Sequence, residues 1–254
     1  MERMGGKSAG VPHPKLARVI AWFGRHGDGA EHRPRGRSRE PQRVERVGLD
    51  DLTPDPIAVL GKAAYLQLGH FEALSRAAST APTLEAKGEL SAAAGKVLAK
   101  HSAIVAELDR RGADSSAAMR GHTADVDHYF ELIQGADWYE ELASIYFTSG
   151  LLDDFFGRIV GNFEGGERIS GIISADAGSA AIVDLLAEGI AGDPRLGSRL
   201  AVWGRRLVGD TLLIARSVLP HPIDPPKGEA RIEPVLTELM AEHTRRMDRL
   251  GLTA

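Results

Sequence analysis

Five carboxylate or imidazole residues lie inside apolar stretches of the sequence, where hydrophobic side chains would be expected. They are Glu72, His101, the adjacent Asp153 and Asp154, and Asp176. Carboxylate oxygens and imidazole nitrogens are common protein ligands of divalent metal ions. Because a buried carboxylate is costly unless it is protonated, paired with a cation or bound to a metal, the pattern predicts a converging polar cluster. The alternative for each residue is a position at the edge of its helix, where it reaches solvent.

The four segments that carry these residues are predicted to be long helices. Apolar residues recur every three or four positions, as in the spacings of 4, 3, 4, 3 and 4 from Leu90 to Leu108, with His101 on this stripe. Such spacing is typical of a helix that packs in a bundle. An Asp-Pro pair marks the first start, since Asp caps a helix and Pro suits its first position. The predicted bounds are about 56–79, 83–111, 136–160 and 166–190.

Further helices are predicted around this core, and no strand is predicted. A short helix covers about 123–134, a second Asp-Pro pair starts one at 194 that extends to about 219, and the last covers about 230–250. No run alternates apolar and polar residues between turn signals, which is the pattern of a strand. The predicted fold class is all-α, an antiparallel four-helix bundle with additional C-terminal helices.

The N-terminal region differs from the rest in composition. Residues 1–47 hold 11 Lys or Arg against 5 Asp or Glu, a net charge of +6, whereas the remaining residues carry −10. Residues 24–47 are rich in Arg, Gly and Pro, so they have too little apolar surface to offset the entropy of ordering. We expect residues 1–52 to be a disordered basic arm and residues 53–254 to be the helical domain. The arm is interpreted as a solvated tail, as translated leader sequence or as a contact with RNA or another polyanion.

Composition and motifs exclude several functional classes. The sequence contains no cysteine, which rules out disulfides, thiolate catalysis and cysteine-ligated metal sites. No apolar run reaches the ~18 residues that span a membrane and no secretory signal is recognised, so we expect a cytoplasmic protein without a membrane partner. The sequence has neither a P-loop nor a dinucleotide-binding glycine motif, and no nucleotide cofactor is expected.

Three segments of the chain resemble actinobacterial ferritin-like proteins. They read AAYLQLGHFEALSRAASTAPTLEAKGELSAAA, DWYEELASIYFTSGLLDDFFGRI and DPRLGSRLAVWGRRLVGDTLL. Those proteins are related to the di-iron tRNA hydroxylase that acts on 2-methylthio-isopentenyl-adenosine. The resemblance covers about residues 56–250 and implies a ferritin-like bundle, with iron as the cofactor and tRNA as a partner.

The resemblance also implies a set of metal ligands. Glu72 matches the glutamate of the first bundle helix, and His101 matches the histidine of the Glu-x-x-His motif in the second. Asp154, or its neighbour Asp153, matches the carboxylate of the third helix. Asp176 matches the carboxylate of the last bundle helix.

Two of the six implied ligands are missing from this sequence. Leu98 stands where a glutamate is implied and Ser179 where a histidine is implied, and neither side chain replaces a strong ligand at a divalent ion. We therefore expect fewer than two iron or other divalent ions per chain. Lys100 adjoins the vacant glutamate position, where it either supplies a cation to the remaining carboxylates or extends outward to solvent.

The leading interpretation is a ferritin-like bundle that resembles tRNA-modifying di-iron hydroxylases and has a degenerate metal site. One alternative is an active oxidoreductase that holds one or two metals with altered ligands. Another is a non-catalytic structural or interaction bundle. For any of these functions, a homodimer is one assembly to consider. An Asp-rich terpenoid synthase motif is disfavoured because Gly157 stands where a third Asp is needed. A helix-turn-helix regulator is disfavoured because the Arg-rich arm cannot form the DNA-binding domain.

Overall fold

A computed structural model describes residues 54–219 and 225–253, and all regular structure in those ranges is helical. Their helices, in chain order, are α1 (Pro56–Ser79), α2 (Leu84–Arg110), α3 (Ser115–Arg120), α4 (Thr123–Leu132), α5 (Trp138–Val160), α6 (Gly166–Ile173), α7 (Ser179–Gly192), α8 (Pro194–Arg216) and α9 (Pro225–Asp248). None of these helices is both long and apolar enough to cross a membrane. The all-α prediction is confirmed, whereas the arm predicted over 1–52 lies outside the described residues.

The helices begin where side chains can cap them. The Asp55 carboxylate accepts two backbone N–H groups of the first turn of α1, each at 3.2 Å. Asp193 accepts one N–H at the start of α8 at 2.9 Å, which confirms the second Asp-Pro start. Thr83 and Asp137 cap α2 and α5 through hydrogen bonds of 3.1 and 2.9 Å. These oxygens satisfy N–H groups that have no partner within the helix.

The core bundle consists of α1, α2, α5 and the pair α6–α7. α1 and α2 form an antiparallel hairpin, α5 packs on α1, and α6 and α7 pack on both α2 and α5. The apolar stripe predicted for α2 is buried, with Leu90, Val97, Ile104 and Leu108 each at most 2% exposed. α8 packs on α5, and α9 packs on α5 and α8. The four long predicted segments therefore form the expected bundle, and α8 and α9 pack on its helix α5.

The connecting and C-terminal helices differ from the predictions in detail. The short helix α3 has no counterpart among the predicted helices, and it packs against α1. α4 ends at Leu132, two residues before the predicted end, and α8 ends at Arg216 instead of 219. α9 begins at Pro225, five residues before the predicted start. Two prolines at its first positions are compatible with an early start, because the first N–H groups of a helix need no partner within it.

The fourth bundle helix is interrupted, in contrast to the continuous helix predicted over 166–190. α6 ends at Ile173, α7 begins at Ser179, and Gly178 between them has a φ of 78°. A Cβ on Gly178 would lie 2.7 Å from the Cβ of Ala93 on α2. Both the backbone conformation and the close packing therefore require glycine at this position. Asp176 consequently lies in the turn between two helices and not on a helix face.

Candidate functional site

Glu72, the predicted ligand of the first helix, lies at the surface. Its side chain is exposed on α1, whereas the adjacent Ala73 is only 3% exposed. Tyr65 and Leu68, which share the face of Glu72, are half buried, and the fully buried face carries His70 instead. The expectation that Glu72 points into the bundle is wrong, because Glu72 lies on the flank of α1 and not on its core face.

Asp176 is the second predicted ligand that lies at the surface, with a side chain that is 63% exposed. One carboxylate oxygen lies 2.6 Å from Nζ of Lys96, and the other accepts the backbone N–H of Gly178 at 2.8 Å. The lysine and this N–H both lower the pKa of the Asp176 carboxyl. Asp176 and Glu72 therefore do not meet inside the bundle, because the chain leaves the helix before Asp176.

His101 is half buried at the contact between α1 and α2. Its Nδ1 donates a hydrogen bond of 2.9 Å to the backbone carbonyl oxygen of Ala64, which fixes the imidazole against the neighbouring helix. Leu98, at the position where the resemblance implies a glutamate, is 38% exposed. Ser179, at the implied histidine position, is exposed as well. His101 is thus held in the α1–α2 hairpin by a hydrogen bond to the backbone.

Asp153 and Asp154 do lie in the bundle, and each meets a cation from another helix. An Oδ atom of Asp153 lies 2.6 Å from Nζ of Lys100, and the other accepts the side-chain amide of Gln67 at 3.2 Å. An Oδ atom of Asp154 lies 2.6 Å from a guanidinium nitrogen of Arg246. The side chains of Asp153 and Asp154 are 19% and 29% exposed. Neighbouring residues on a helix are about 100° apart, which explains why the two carboxylates reach different partners.

The Lys100–Asp153 pair decides between the two roles that the sequence left open for Lys100. The Lys100 side chain is only 1% exposed, so it does not extend to solvent. Burial raises the pKa of the Asp153 carboxyl, and the Lys100 ammonium and the Gln67 amide act in the opposite direction. A buried carboxylate paired with an ammonium group is one of the arrangements that make burial tolerable.

A second group of polar side chains connects α5 with α1 and α8. His70, 1% exposed, lies with Nε2 3.2 Å from Oγ1 of Thr148. Thr148 donates to the backbone carbonyl of Ser144 at 2.7 Å, and the Ser144 hydroxyl accepts the indole N–H of Trp203 at 2.8 Å. Burial and the nearby Lys100 ammonium lower the pKa of His70 to about 4. His70 is therefore a neutral hydrogen-bonding group at neutral pH.

His70 was not among the predicted site residues, although the sequence contains a signal for it. It continues the spacing of Ala63, Leu66, Ala73 and Ala77, which are all at most 3% exposed. A polar residue on such a stripe of spacing 3, 4, 3 and 4 is expected to be buried. This stripe indicates the core face of α1 better than the positions around Glu72 do.

Arg246 of α9 contacts α5 next to Gly150. Its guanidinium donates to the backbone carbonyl of Gly150 at 3.1 Å as well as to Asp154. A Cβ on Gly150 would lie 2.3 Å from Nε of Arg246, so any side chain there would displace the arginine. The absence of a side chain at Gly150 thus allows an additional helix to supply the counter-charge for Asp154.

These donors do not fit a two-metal centre. Within the described part of the chain, no three His, Asp or Glu side chains are grouped closely enough to hold a metal ion. Lys96, Lys100 and Arg246 occupy the carboxylates of Asp176, Asp153 and Asp154. Binding of a single ion by the predicted ligands stays a prediction.

No curated protein matches the sequence. A family model described as a ferritin-like domain of actinomycetes matches residues 55–221. The match covers more than half of the chain and includes α1 to α8, that is, the whole four-helix core with the helix packed on α5. The chain therefore belongs to the actinomycete ferritin-like domain family.

Proposed function

We propose that this protein is a ferritin-like bundle that works without a di-metal centre, as a binding or structural protein. The observation that carries the proposal is the ion pair between Lys100 and Asp153, in which a lysine side chain that is 1% exposed lies 2.6 Å from the carboxylate. The Lys100 ammonium group contacts the Asp153 carboxylate, whose oxygen atoms a metal ion would need as ligands. The degenerate metal site expected from the missing ligands is part of this proposal.

Electrostatics favours the lysine over a metal ion at Asp153. Two unit positive charges 4 Å apart repel by about 4 kcal/mol at an effective dielectric constant of 20, and a divalent ion would be repelled more strongly. Lys100 cannot move away without leaving the bundle interior, because its whole side chain is enclosed. Asp154 offers no second carboxylate to an ion, because Arg246 occupies it in the same manner.

Metal titration of the full chain tests the proposal. The chelator-treated protein is titrated with Mn(II), and with Fe(II) under nitrogen, and its metal content is measured after desalting. We expect less than one ion per chain and no change in absorbance when oxygen is admitted. Two tightly bound irons per chain with an oxygen-dependent absorbance change would overturn the proposal and favour an active oxidoreductase, including the tRNA hydroxylase that the resemblance implies.

A pair of matched variants asks whether the lysine itself excludes the metal. Lys100→Glu places a second carboxylate beside Asp153 inside the bundle, so Mn(II) should raise its melting temperature by mass action. Lys96→Glu makes the same change one turn earlier at an exposed ion pair, and it should respond much less. An equal response of the two variants would contradict the role assigned to Lys100.

A further inference from the structure

One end of the bundle holds three arginines around a single buried carboxylate. Glu107, near the end of α2, has a side chain that is 2% exposed. Arg110 donates to it through Nε at 2.9 Å and also through a terminal nitrogen, Arg111 through Nε at 2.7 Å, and Arg168 of α6 through a terminal nitrogen at 2.8 Å. The arginines together lower the pKa of Glu107 against the effect of its burial. Glu107 contributes one negative charge and the three arginines contribute three positive charges, so this cluster has a net charge of +2.

The same arginines line a cavity of about 530 Å³. Its wall is completed by Pro56 and Ile57 at the start of α1, and by Glu164 and Gly165 before α6. Arg111 is 17% exposed and is held at a second point, because it donates to the Glu164 carbonyl oxygen at 2.6 Å. Cavities that bind small ligands commonly have volumes of ≈ 300–1,000 Å³. The cavity is thus large enough for a small organic molecule, and its lining contains apolar side chains as well as cations.

The guanidinium groups keep donors available for a ligand. Each guanidinium has five N–H donors. Within the described residues, Arg110 uses two of them on Glu107, Arg168 uses one, and Arg111 uses one on Glu107 and one on the Glu164 carbonyl. The buried glutamate orients the three groups without exhausting their donors. Such prepositioned guanidinium groups suit the oxygen atoms of a phosphate group.

We propose that this cavity binds a small phosphate monoester. The phosphate group would bind to Arg110, Arg111 and Arg168, and the organic group would contact Pro56 and Ile57. The cavity leaves room for an organic group beside the phosphate group, which favours a monoester over free phosphate as the ligand. Glu164 is the acidic residue among the described lining residues, and its charge reduces the excess that the ligand meets. Glu107 acts as a positioning residue, since it touches the arginines and not the ligand.

Calorimetric titration of the full chain at low salt tests the proposal, with phenyl phosphate, inorganic phosphate and phenol as probes. We expect saturable binding of phenyl phosphate, weaker binding of inorganic phosphate and no binding of phenol. Inorganic phosphate that binds as tightly as phenyl phosphate would contradict the part assigned to the apolar wall. Absence of saturable binding by either phosphate compound at millimolar concentration would overturn the site.

Arginine variants separate this site from a general charge effect. Arg168→Ala should weaken phenyl phosphate binding by about tenfold or more, because the loss of one or two charge-assisted hydrogen bonds changes an affinity by that much. Arg76→Ala is the matched control, because Arg76 is similarly exposed, 55% against 51%, and pairs with Glu141 elsewhere in the bundle. Its affinity should equal that of the wild type. Equal losses in the two variants would show a non-specific attraction and contradict the proposal.

Two further variants distinguish a loss of ligand contacts from a loss of folding. Arg110→Ala removes the other half-exposed arginine of the cavity and should weaken binding to a similar extent, with the melting temperature of each variant measured alongside. Glu164→Gln removes the negative charge of the lining without touching an arginine side chain, and it should strengthen binding of phenyl phosphate. Unchanged or weaker binding by Glu164→Gln would contradict a site that recognises negative charge.

Discussion

Two lysines one turn apart on α2 make ion pairs of the same length in different surroundings. Nζ of Lys96 lies 2.6 Å from Asp176, and Nζ of Lys100 lies 2.6 Å from Asp153. The first pair is exposed, with side chains 51% and 63% accessible, whereas the second is enclosed, with side chains 1% and 19% accessible. The pKa of Asp176 is lowered by its lysine, but burial raises the pKa of Asp153 despite the lysine.

The difference shows that distance alone does not rank these interactions. Exposed ion pairs contribute about 0–1 kcal/mol, because water screens the charges and both side chains lose freedom. A buried pair has lost its hydration, so the two charges depend on each other and the removal of one is costly. Breaking the Lys100–Asp153 pair in the bundle interior should therefore cost much stability, whereas breaking the Lys96–Asp176 pair at the turn after α6 should cost little.

The largest expected effect comes from removing one charge of each pair. Lys100→Met retains most of the side-chain volume but leaves the Asp153 carboxylate without a cation, which should lower the free energy of unfolding by about 3–5 kcal/mol. Lys96→Met makes the same change at the exposed pair and should lower it by less than about 1 kcal/mol. Urea unfolding of both variants measures the difference. Similar losses would contradict the distinction between the two pairs.

Acid unfolding extends the comparison from lysines to histidines. The folded-state pKa of His70 is about 4, because burial and Lys100 oppose its protonation. The unfolded chain takes up this proton near pH 6.5, so the contribution of neutral His70 is present above pH 6.5 and is lost as the pH falls to 4, by about 3 kcal/mol. His243, also buried with a pKa of about 4, acts in the same direction, whereas the raised pKa of Asp153 acts against it.

Matched histidine variants isolate the contribution of His70 to the loss of stability at acidic pH. His70→Gln keeps a group that can donate to Thr148 and should flatten the decline of stability between pH 6.5 and 4. His128→Gln changes a side chain that is 67% exposed and should leave the decline as in the wild type. The measurement is urea unfolding at several pH values. An unchanged slope in His70→Gln would contradict the assignment of a neutral, buried imidazole.

The smallest effect is expected when both charges of the buried pair are removed together. Lys100→Met/Asp153→Asn leaves no unpaired charge, and the new amide can still accept the hydrogen bond from Gln67. The free energy of unfolding should return to within about 1 kcal/mol of the wild type, since a buried ion pair contributes little net stability over neutral groups. A double variant as unstable as Lys100→Met would mean that the charges themselves, and not their pairing, stabilise the bundle.

Local features of the sequence account for the positions of the long helices. The Asp-Pro starts of α1 and α8 and the apolar stripe of α2 involve residues within a turn or two of each other, and the structure has them as expected. The site was harder to predict. The interruption of apolar stretches predicts an interior position for Glu72 and Asp176. A stretch of small and apolar residues such as α1, however, has more than one face that can be buried.

The amino-acid sequence alone determined the all-α fold class and the positions of most long helices, because capping and periodicity are local properties. Only the tertiary structure decided which charges meet. Lys100 and Asp153 are 53 residues apart in the chain, and Arg246 reaches Asp154 from a helix 92 residues later. The place of Asp176 outside the bundle likewise depends on how closely Gly178 approaches Ala93 of α2. Such contacts depend on the packing of distant helices, and no local pattern encodes them.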